Sequence, residues 1–98
     1  MGKLHTPEIE RLVKAVLRLE TEDECFRFFE DICTIKEIQD MSQRLHVAEM
    51  LNQNKSYTEV SKETGASTAT ISRVNKCLNY GSDGYRRILD KLDGKENE

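Results

Sequence analysis

The apolar positions of this chain recur every three or four residues over most of its length, a spacing that predicts helices rather than strands. The first helix is marked by Thr6, a good capping residue, and by Pro7, which lacks the N–H that the first turn leaves unpaired. The apolar stripe that follows consists of Ile9, Leu12, Val13, Val16 and Leu17. The pattern therefore predicts an amphipathic helix that begins at Pro7.

A second apolar surface follows Thr21 and Glu24, which have the spacing of a capping box, in which each side chain accepts a hydrogen bond from the other residue's backbone. The surface is formed by Cys25, Phe26, Phe28, Phe29, Ile32 and Cys33. A chain of 98 residues buries a limited core. We therefore expect a partner chain to cover this surface.

The segment from Ile35 to Leu51 has apolar residues at intervals of three or four, after a second box formed by Thr34 and Glu37. The pattern is compatible with one long helix or with two helices joined near Met41. The polar residues 52–55 end the segment.

A helix-turn-helix is predicted over residues 56–78. Ser56 and Glu59 form a third capping box, and Gly65 suits a turn that requires a positive φ. Ser67 caps the second helix, which we expect to run from 68 to about 78. The residues predicted to lock the two helices together are Val60, Ala66, Ile71 and Val74, with the small Ser61 where the helices cross.

The rest of the chain completes a single all-α domain. A last helix is expected over 83–92, with its apolar residues inward: Tyr85, Ile88, Leu89 and Leu92. We therefore expect an N-terminal tail and cap over 1–7, one helical domain over 8–92 and a disordered tail over 93–98.

The outward face of the second helix of the motif has the chemistry of a DNA-reading surface. No carboxylate occurs from 66 to 82, and short side chains near the helix start allow close approach to base edges in the major groove. Arg73 has the length to reach guanine or a phosphate. The residues predicted to contact double-stranded DNA are Ser56, Tyr57, Thr58, Ser67, Thr68, Ala69, Ser72, Arg73 and Lys76.

The charge distribution agrees with that location. The net charge of the chain is −3, but residues 1–40 carry −4 and residues 41–92 carry +3. The overall negative charge and the lack of a basic N-terminal arm leave an alternative open, in which the chain is a helical dimerisation or adaptor module that binds protein. Salt dependence separates the two, because phosphate contacts release counterions.

Other functions find little support in the sequence. The three cysteines form no CxxC pair, so no metal site is predicted, and no catalytic constellation indicates an enzyme. No apolar run is long enough to span a bilayer, so we expect no membrane partner and a cytoplasmic protein.

The segment 65–73 resembles the recognition segment of the tryptophan repressor family, and residues 41–51 resemble the helix before it. The nearest resemblance is to the repressor-like YerC/YecD subfamily. It extends over about 8–92 and implies a six-helix fold, an interlaced homodimer and transcriptional repression.

The resemblance also implies a pocket for a small corepressor. The matching positions are Thr34, Arg44, Arg73 and Cys77. Cys77 replaces a serine of the family, and Val74 replaces a glycine. These two departures disfavour free tryptophan as the ligand, so we expect another small molecule or no cofactor at all.

Overall fold

The computed structural model describes residues 3–94, in which six α-helices and no strand are present. The helices are α1 (Pro7–Leu17), α2 (Glu22–Ile32), α3 (Ile35–Asn52), α4 (Tyr57–Thr64), α5 (Thr68–Tyr80) and α6 (Gly84–Leu92). The predicted all-α, six-helix architecture is therefore confirmed. The described residues form two compact units that divide between Ile35 and Lys36.

The helices of the first unit, α1 and α2, begin at the predicted caps. The Thr6 hydroxyl accepts a hydrogen bond from the N–H of Ile9 at 3.2 Å. The Thr21 hydroxyl accepts one from the N–H of Glu24 at 3.1 Å. The second half of that box differs from the prediction, because the Glu24 carboxylate accepts from the N–H of Glu20, at 2.8 Å. It reaches one residue further back along the chain than a reciprocal box requires.

Neither α1 nor α2 contains a buried residue. Phe28 and Phe29 pack edge to face, with ring centroids 5.7 Å apart. The large apolar side chains that stay exposed on the two helices are Leu12, Val13, Val16, Leu17, Phe26 and Ile32. The first unit therefore carries the apolar faces predicted from sequence without closing a core over them.

The second unit contains the buried core of the described chain. Four helices and the turn after α4 contribute the buried residues Val47, Ala48, Met50, Val60, Ala66, Ile71, Val74, Leu78 and Leu89. Leu45, Leu51 and Tyr85 pack against this core while partly exposed. The four residues predicted to lock the helix-turn-helix are all among the buried ones, and α3 is one continuous helix.

The end of α5 corrects a predicted boundary. We expected this helix to stop near Leu78, but it continues to Tyr80. The Asn79 side chain bonds within the helix, donating to the Asn75 carbonyl at 3.0 Å, instead of breaking it. The helix ends at Gly81, where a Cβ would overlap the carbonyl oxygen of Cys77.

Only part of the predicted inward face of α6 is buried. Leu89 is buried and Tyr85 is half-buried, but Ile88 and Leu92 remain exposed. The core of this unit covers only the strip of α6 centred on Leu89. Of the predicted disordered tail, 93 and 94 form a turn after α6, and 95–98 lie outside the described residues, as do 1 and 2 of the N-terminal tail.

Candidate nucleic-acid interface

The first helix of the predicted motif, α4, begins with a complete capping box. The N–H of Glu59 donates to the Ser56 hydroxyl at 3.2 Å, and the N–H of Ser56 donates to the Glu59 carboxylate at 3.2 Å. The Ser56 hydroxyl also donates to the Glu59 carboxylate, at 3.1 Å. The two hydrogen bonds that this carboxylate accepts, from the backbone N–H of Ser56 first and from its hydroxyl second, lower the pKa of Glu59 below its ordinary value. The helix start is thus fixed by short-range contacts alone.

The turn between α4 and α5 depends on a glycine and a threonine. Gly65 has φ +73°, in the left-handed region that glycine tolerates. The Thr64 hydroxyl donates to the Val60 carbonyl at 2.7 Å and accepts from the N–H of Ala66 at 3.1 Å. The prediction identified Gly65 but missed the role of Thr64. In the sequence, Thr64 is marked only by being a short hydroxyl residue before a predicted turn.

Two further contacts hold the turn in place. Ser61, predicted as the small residue at the helix crossing, donates from its hydroxyl to the Ala66 carbonyl at 3.3 Å. Gln43 on α3 donates from its side-chain amide to the Thr64 carbonyl at 3.2 Å. Because Gln43 lies 21 residues before its partner, no local pattern pointed to it. The long helix α3 therefore supports the start of the second helix of the motif.

The second helix, α5, begins at the predicted cap, Ser67. Its hydroxyl accepts from the N–H of Thr70 at 3.1 Å and donates to the Thr70 hydroxyl at 3.1 Å. Ile71 and Val74 are each 1% exposed, so the inner face of α5 is fully packed. Because these side chains are packed, rotation of α5 about its axis would expose them to water, so the opposite face points outward.

All nine residues predicted to contact DNA have exposed side chains on α4, α5 or their caps. Ser56 and Ser67 already use their hydroxyls in helix caps. Within residues 3–94, neither Arg73 nor Lys76 forms an ion pair with another side chain. The outward face of α5 therefore combines short side chains, two unpaired cations and no carboxylate.

A cavity of about 340 Å³ lies between α3 and the start of α5. Every side chain that lines it is polar or charged: Lys36, Asp40, Gln43, Arg44, Ser67, Thr70 and Arg73. Lys36 contacts Asp40 at 3.3 Å, whereas Arg44 and Arg73 have no carboxylate partner in the described chain. The cavity is thus hydrophilic and carries unpaired positive charge.

The cavity brings together two of the four residues expected in a corepressor pocket, Arg44 and Arg73. Cys77 is exposed and is not among the lining residues. Thr34 belongs to the other unit of the chain. Sequence reasoning missed Lys36 and Asp40, whose one-turn spacing on α3 has no distinctive signal.

Neither a cluster of metal-ligating side chains nor a membrane-spanning helix occurs within residues 3–94. No three side chains of His, Cys, Asp or Glu gather as they would around a metal ion. None of the described helices has both the length and the apolar character needed to cross a membrane.

The chain as a whole is similar to proteins described as Trp repressors or as TrpR-like. The family described as Trp repressor protein matches residues 7–93. The uncharacterised protein YerC of Bacillus subtilis (strain 168) is 51% identical over 98 residues, covering 100% of this chain and 94% of YerC.

Two solved structures are similar along nearly their whole length. A TrpR-like protein from Eubacterium eligens ATCC 27750 superimposes with a TM-score of 0.91 at 52% identity, covering 95% of this chain and 96% of that one. A candidate Trp repressor from Staphylococcus aureus gives a TM-score of 0.90 at 48% identity, covering 94% and 92%.

Proposed function

Because this chain belongs to the Trp repressor protein family, we propose that it is a sequence-specific double-stranded DNA-binding regulator that represses transcription. The observation that carries the proposal is the exposed, carboxylate-free face of α5, held outward by a packed inner face. Such a helix fits the major groove as the second helix of a helix-turn-helix. As a regulator that binds chromosomal DNA, the protein would be located in the cytoplasm.

Different side chains on α5 contact the bases and the phosphates. Thr68, Ala69 and Ser72 are short enough to meet base edges, and the methyl groups of the first two suit thymine. Arg73 binds guanine or a phosphate, and Lys76 binds a phosphate.

The start of α4 supplies the remaining contacts to the DNA backbone. They come from Ser56, Tyr57 and Thr58, with Ser67 at the cap of α5. Phosphate contacts of this kind set the register of the protein on the duplex.

The working form that we propose is a homodimer. The exposed apolar side chains of α1 and α2 have no cover within the described chain, and a second copy supplies a matching surface by two-fold symmetry. Two recognition helices related by that symmetry read a roughly palindromic operator whose half-sites lie about one helical turn apart.

The decisive test is the double variant Ser72→Glu with Arg73→Glu. It places two carboxylates on the recognition face, and we expect it to abolish binding to genomic duplex fragments while the dimer stays folded. Ser82→Glu with Arg87→Glu is the matched control, since it makes the same change in net charge at exposed positions outside α5. Unchanged DNA affinity in the first variant would refute the assignment.

The alternative is an adaptor module that binds a protein through the same hairpin, which the net charge of −3 favours. Measuring duplex binding at two salt concentrations distinguishes them. A regulator loses affinity steeply as salt rises, because each phosphate contact releases counterions. A dimer that ignores DNA at low salt would support the adaptor.

We further propose that the cavity beside α5 takes a small hydrophilic ligand with an anionic group, and that tryptophan is not that ligand. Arg44, joined by Arg73 while DNA is not bound, is suited to bind a carboxylate or phosphate, whereas the lining lacks an apolar side chain to receive an indole ring. The chain contains no tryptophan, so the emission of added tryptophan reports its binding directly. A saturable change in that emission, or calorimetry showing no heat with glutamate and with inorganic phosphate, would count against the proposal.

A further inference from the structure

Arg86 on α6 joins three helices of the second unit through one guanidinium group. Its Nε donates to the Leu78 carbonyl at 3.0 Å, and its Nη2 donates to the Asn79 side chain at 3.2 Å, both in the last turns of α5. Its Nη1 donates to the side-chain oxygen of Asn52, the last residue of α3, at 2.9 Å. Two of these bonds are partly buried.

The acceptors around Arg86 are all neutral. The positive charge is instead placed near the C-terminal ends of α3 and α5, where the unpaired carbonyl groups give each helix a partial negative charge. A planar fork with several fixed donors can satisfy three acceptors in different directions at once, which a lysine ammonium on a flexible stem does poorly. The position therefore requires the geometry of arginine as well as its charge.

Side-chain hydrogen bonds join α3 to the segment that precedes α5 and, through Arg86, to the end of α5. Before the turn, Gln43 donates to the carbonyl of Thr64, the last residue of α4. At the end, Asn52 is joined to Leu78 and Asn79 through Arg86. The two points on α3 are nine residues apart, or about 14 Å along the helix axis at about 1.5 Å per residue. The cations Arg73 and Lys76 lie on α5, between these two points of contact along the chain.

We propose that Arg86 is a positioning residue for DNA recognition: its guanidinium ties the end of α5 to the end of α3 and so sets the angle at which the helix meets the duplex. The inference rests on the proposed function. In this role Arg86 itself contacts neither a base nor a phosphate. Its effect reaches DNA only through the orientation of α5.

The test compares Arg86→Lys with Arg87→Lys in the full-length protein. Both variants keep the charge, but Arg87 is an exposed neighbour whose ion-pair partner within residues 3–94 is Asp83, the cap of α6, at 3.2 Å. Duplexes are first selected from a random library by the wild type. Affinity is then measured for a selected duplex and for an unselected duplex of equal length at the same salt.

We expect Arg86→Lys to lower the affinity for the selected duplex by about tenfold, the size of losing one base contact. Its affinity for the unselected duplex and its salt dependence stay the same, because the number of phosphate contacts is unchanged. Arg87→Lys behaves as the wild type in all these measurements. A loss of stability alone would instead reduce binding to both duplexes in equal proportion, and that result would overturn the proposal.

Amide hydrogen exchange without DNA gives a second readout. Residues 75–80 at the end of α5 exchange faster in Arg86→Lys than in the wild type if the guanidinium holds them, and equal rates would refute the anchoring. Asn52→Ala removes a single bond of the same cluster, so it replaces Arg86→Lys if that variant does not fold. If both substitutions act through one contact, the double variant Asn52→Ala with Arg86→Lys shows an effect little larger than that of Arg86→Lys alone.

The two proposals fail in different ways. A wild type that selects no duplex refutes the DNA-binding function, and with it the role of Arg86 in recognition, whatever the exchange rates. A wild type that selects DNA, with an Arg86→Lys variant that selects it equally well, refutes only the role of Arg86.

Discussion

The two units of this chain use similar helices in different ways. In the first unit, α1 has a clear apolar stripe and α2 a wide apolar surface, yet neither buries a residue. In the second unit, the core draws on α3, α4, α5 and α6 and contains side chains with 0% exposure, such as Val47 and Val60. An amphipathic pattern thus identifies the face that needs cover, but it does not reveal whether the chain itself provides that cover.

The difference has a physical origin in the number of surfaces that meet. Two helices of 11 residues each can cover little of each other's apolar face. In the second unit, the tight turn at Gly65 brings α4 and α5 together, and α3 and α6 close over them. The first unit therefore leaves apolar faces that a partner chain could cover, whereas the second unit packs both helices of the helix-turn-helix into one core.

The largest effect expected from this comparison is in the core of the second unit. Ile71→Ala should lower the free energy of unfolding by about 3 kcal/mol, because it leaves a cavity among packed side chains. Ile32→Ala on α2 is the matched variant, since Ile32 is 52% exposed in the single chain. The decrease in the free energy of unfolding caused by Ile32→Ala should depend on protein concentration, because Ile32 stabilises the protein through self-association.

Chemical denaturation at several protein concentrations checks both variants. Losses of equal size that do not vary with concentration would remove the distinction between the two units.

The next effect tests the uncovered face of α1. Val13→Glu should weaken self-association by about 2 kcal/mol per subunit, the contribution of burying one such side chain. Lys14→Glu introduces the same residue at the next position, beside the apolar stripe, and should leave association nearly unchanged. Sedimentation equilibrium measures both, and two variants that associate as the wild type does would show that α1 needs no partner.

The turn of the second unit gives a smaller, local effect. Gly65→Ala should lower the free energy of unfolding by about 1–2 kcal/mol, because a Cβ is strained at φ +73°. Gly84→Ala should raise it by about 0.5 kcal/mol, since that position has open space and no positive φ. Thermal unfolding measures both changes in stability. A Gly65→Ala variant as stable as the wild type would contradict the role of the positive φ in the turn.

The capping box of α4 gives the smallest effect, and that effect depends on pH. Ser56→Ala should lower the free energy of unfolding by about 1 kcal/mol at neutral pH. Because folding lowers the pKa of Glu59, its carboxylate stabilises the fold fully above its ordinary value of 4.5 and loses that contribution as the pH falls through the lower, folded value.

Glu59→Gln isolates the pH-dependent part. The difference in the free energy of unfolding between Glu59→Gln and the wild type should be constant near neutral pH and should become smaller in acid. A deficit that grows as the pH falls would have the wrong sign for this mechanism.

Much of the second unit was predictable because its determinants are close in sequence. The caps at Ser56 and Ser67 and the turn at Gly65 were expected, and each depends on residues within about one helical turn. The inward set of the helix-turn-helix followed from spacing alone. Thr68, Ala69, Ser72, Arg73 and Lys76 were expected on the outward face of α5, and their side chains are exposed there. That they contact DNA stays a prediction.

Local reasoning reached its limit at the ends of elements. The carboxylate of Glu24 accepts from Glu20 instead of completing the predicted box. The end of α5 was set two residues short, because Asn79 has the side chain of a helix breaker but bonds inside the helix. In both cases the residue types allowed several short-range partners, and the folded backbone selected one.

The sequence by itself determined the all-α class, the principal helix caps and the faces that would be apolar or reach outward, because those features arise from contacts among near neighbours. It left open whether the segment from Ile35 to Leu51 was one helix or two. Only the tertiary structure decided how α5 is held. Gln43 meets Thr64 across 21 residues and Arg86 meets Asn52 across 34, and the hydrophilic cavity likewise joins α3 to α5. Contacts across such separations leave no periodic trace in the chain, since they depend on where whole helices pack.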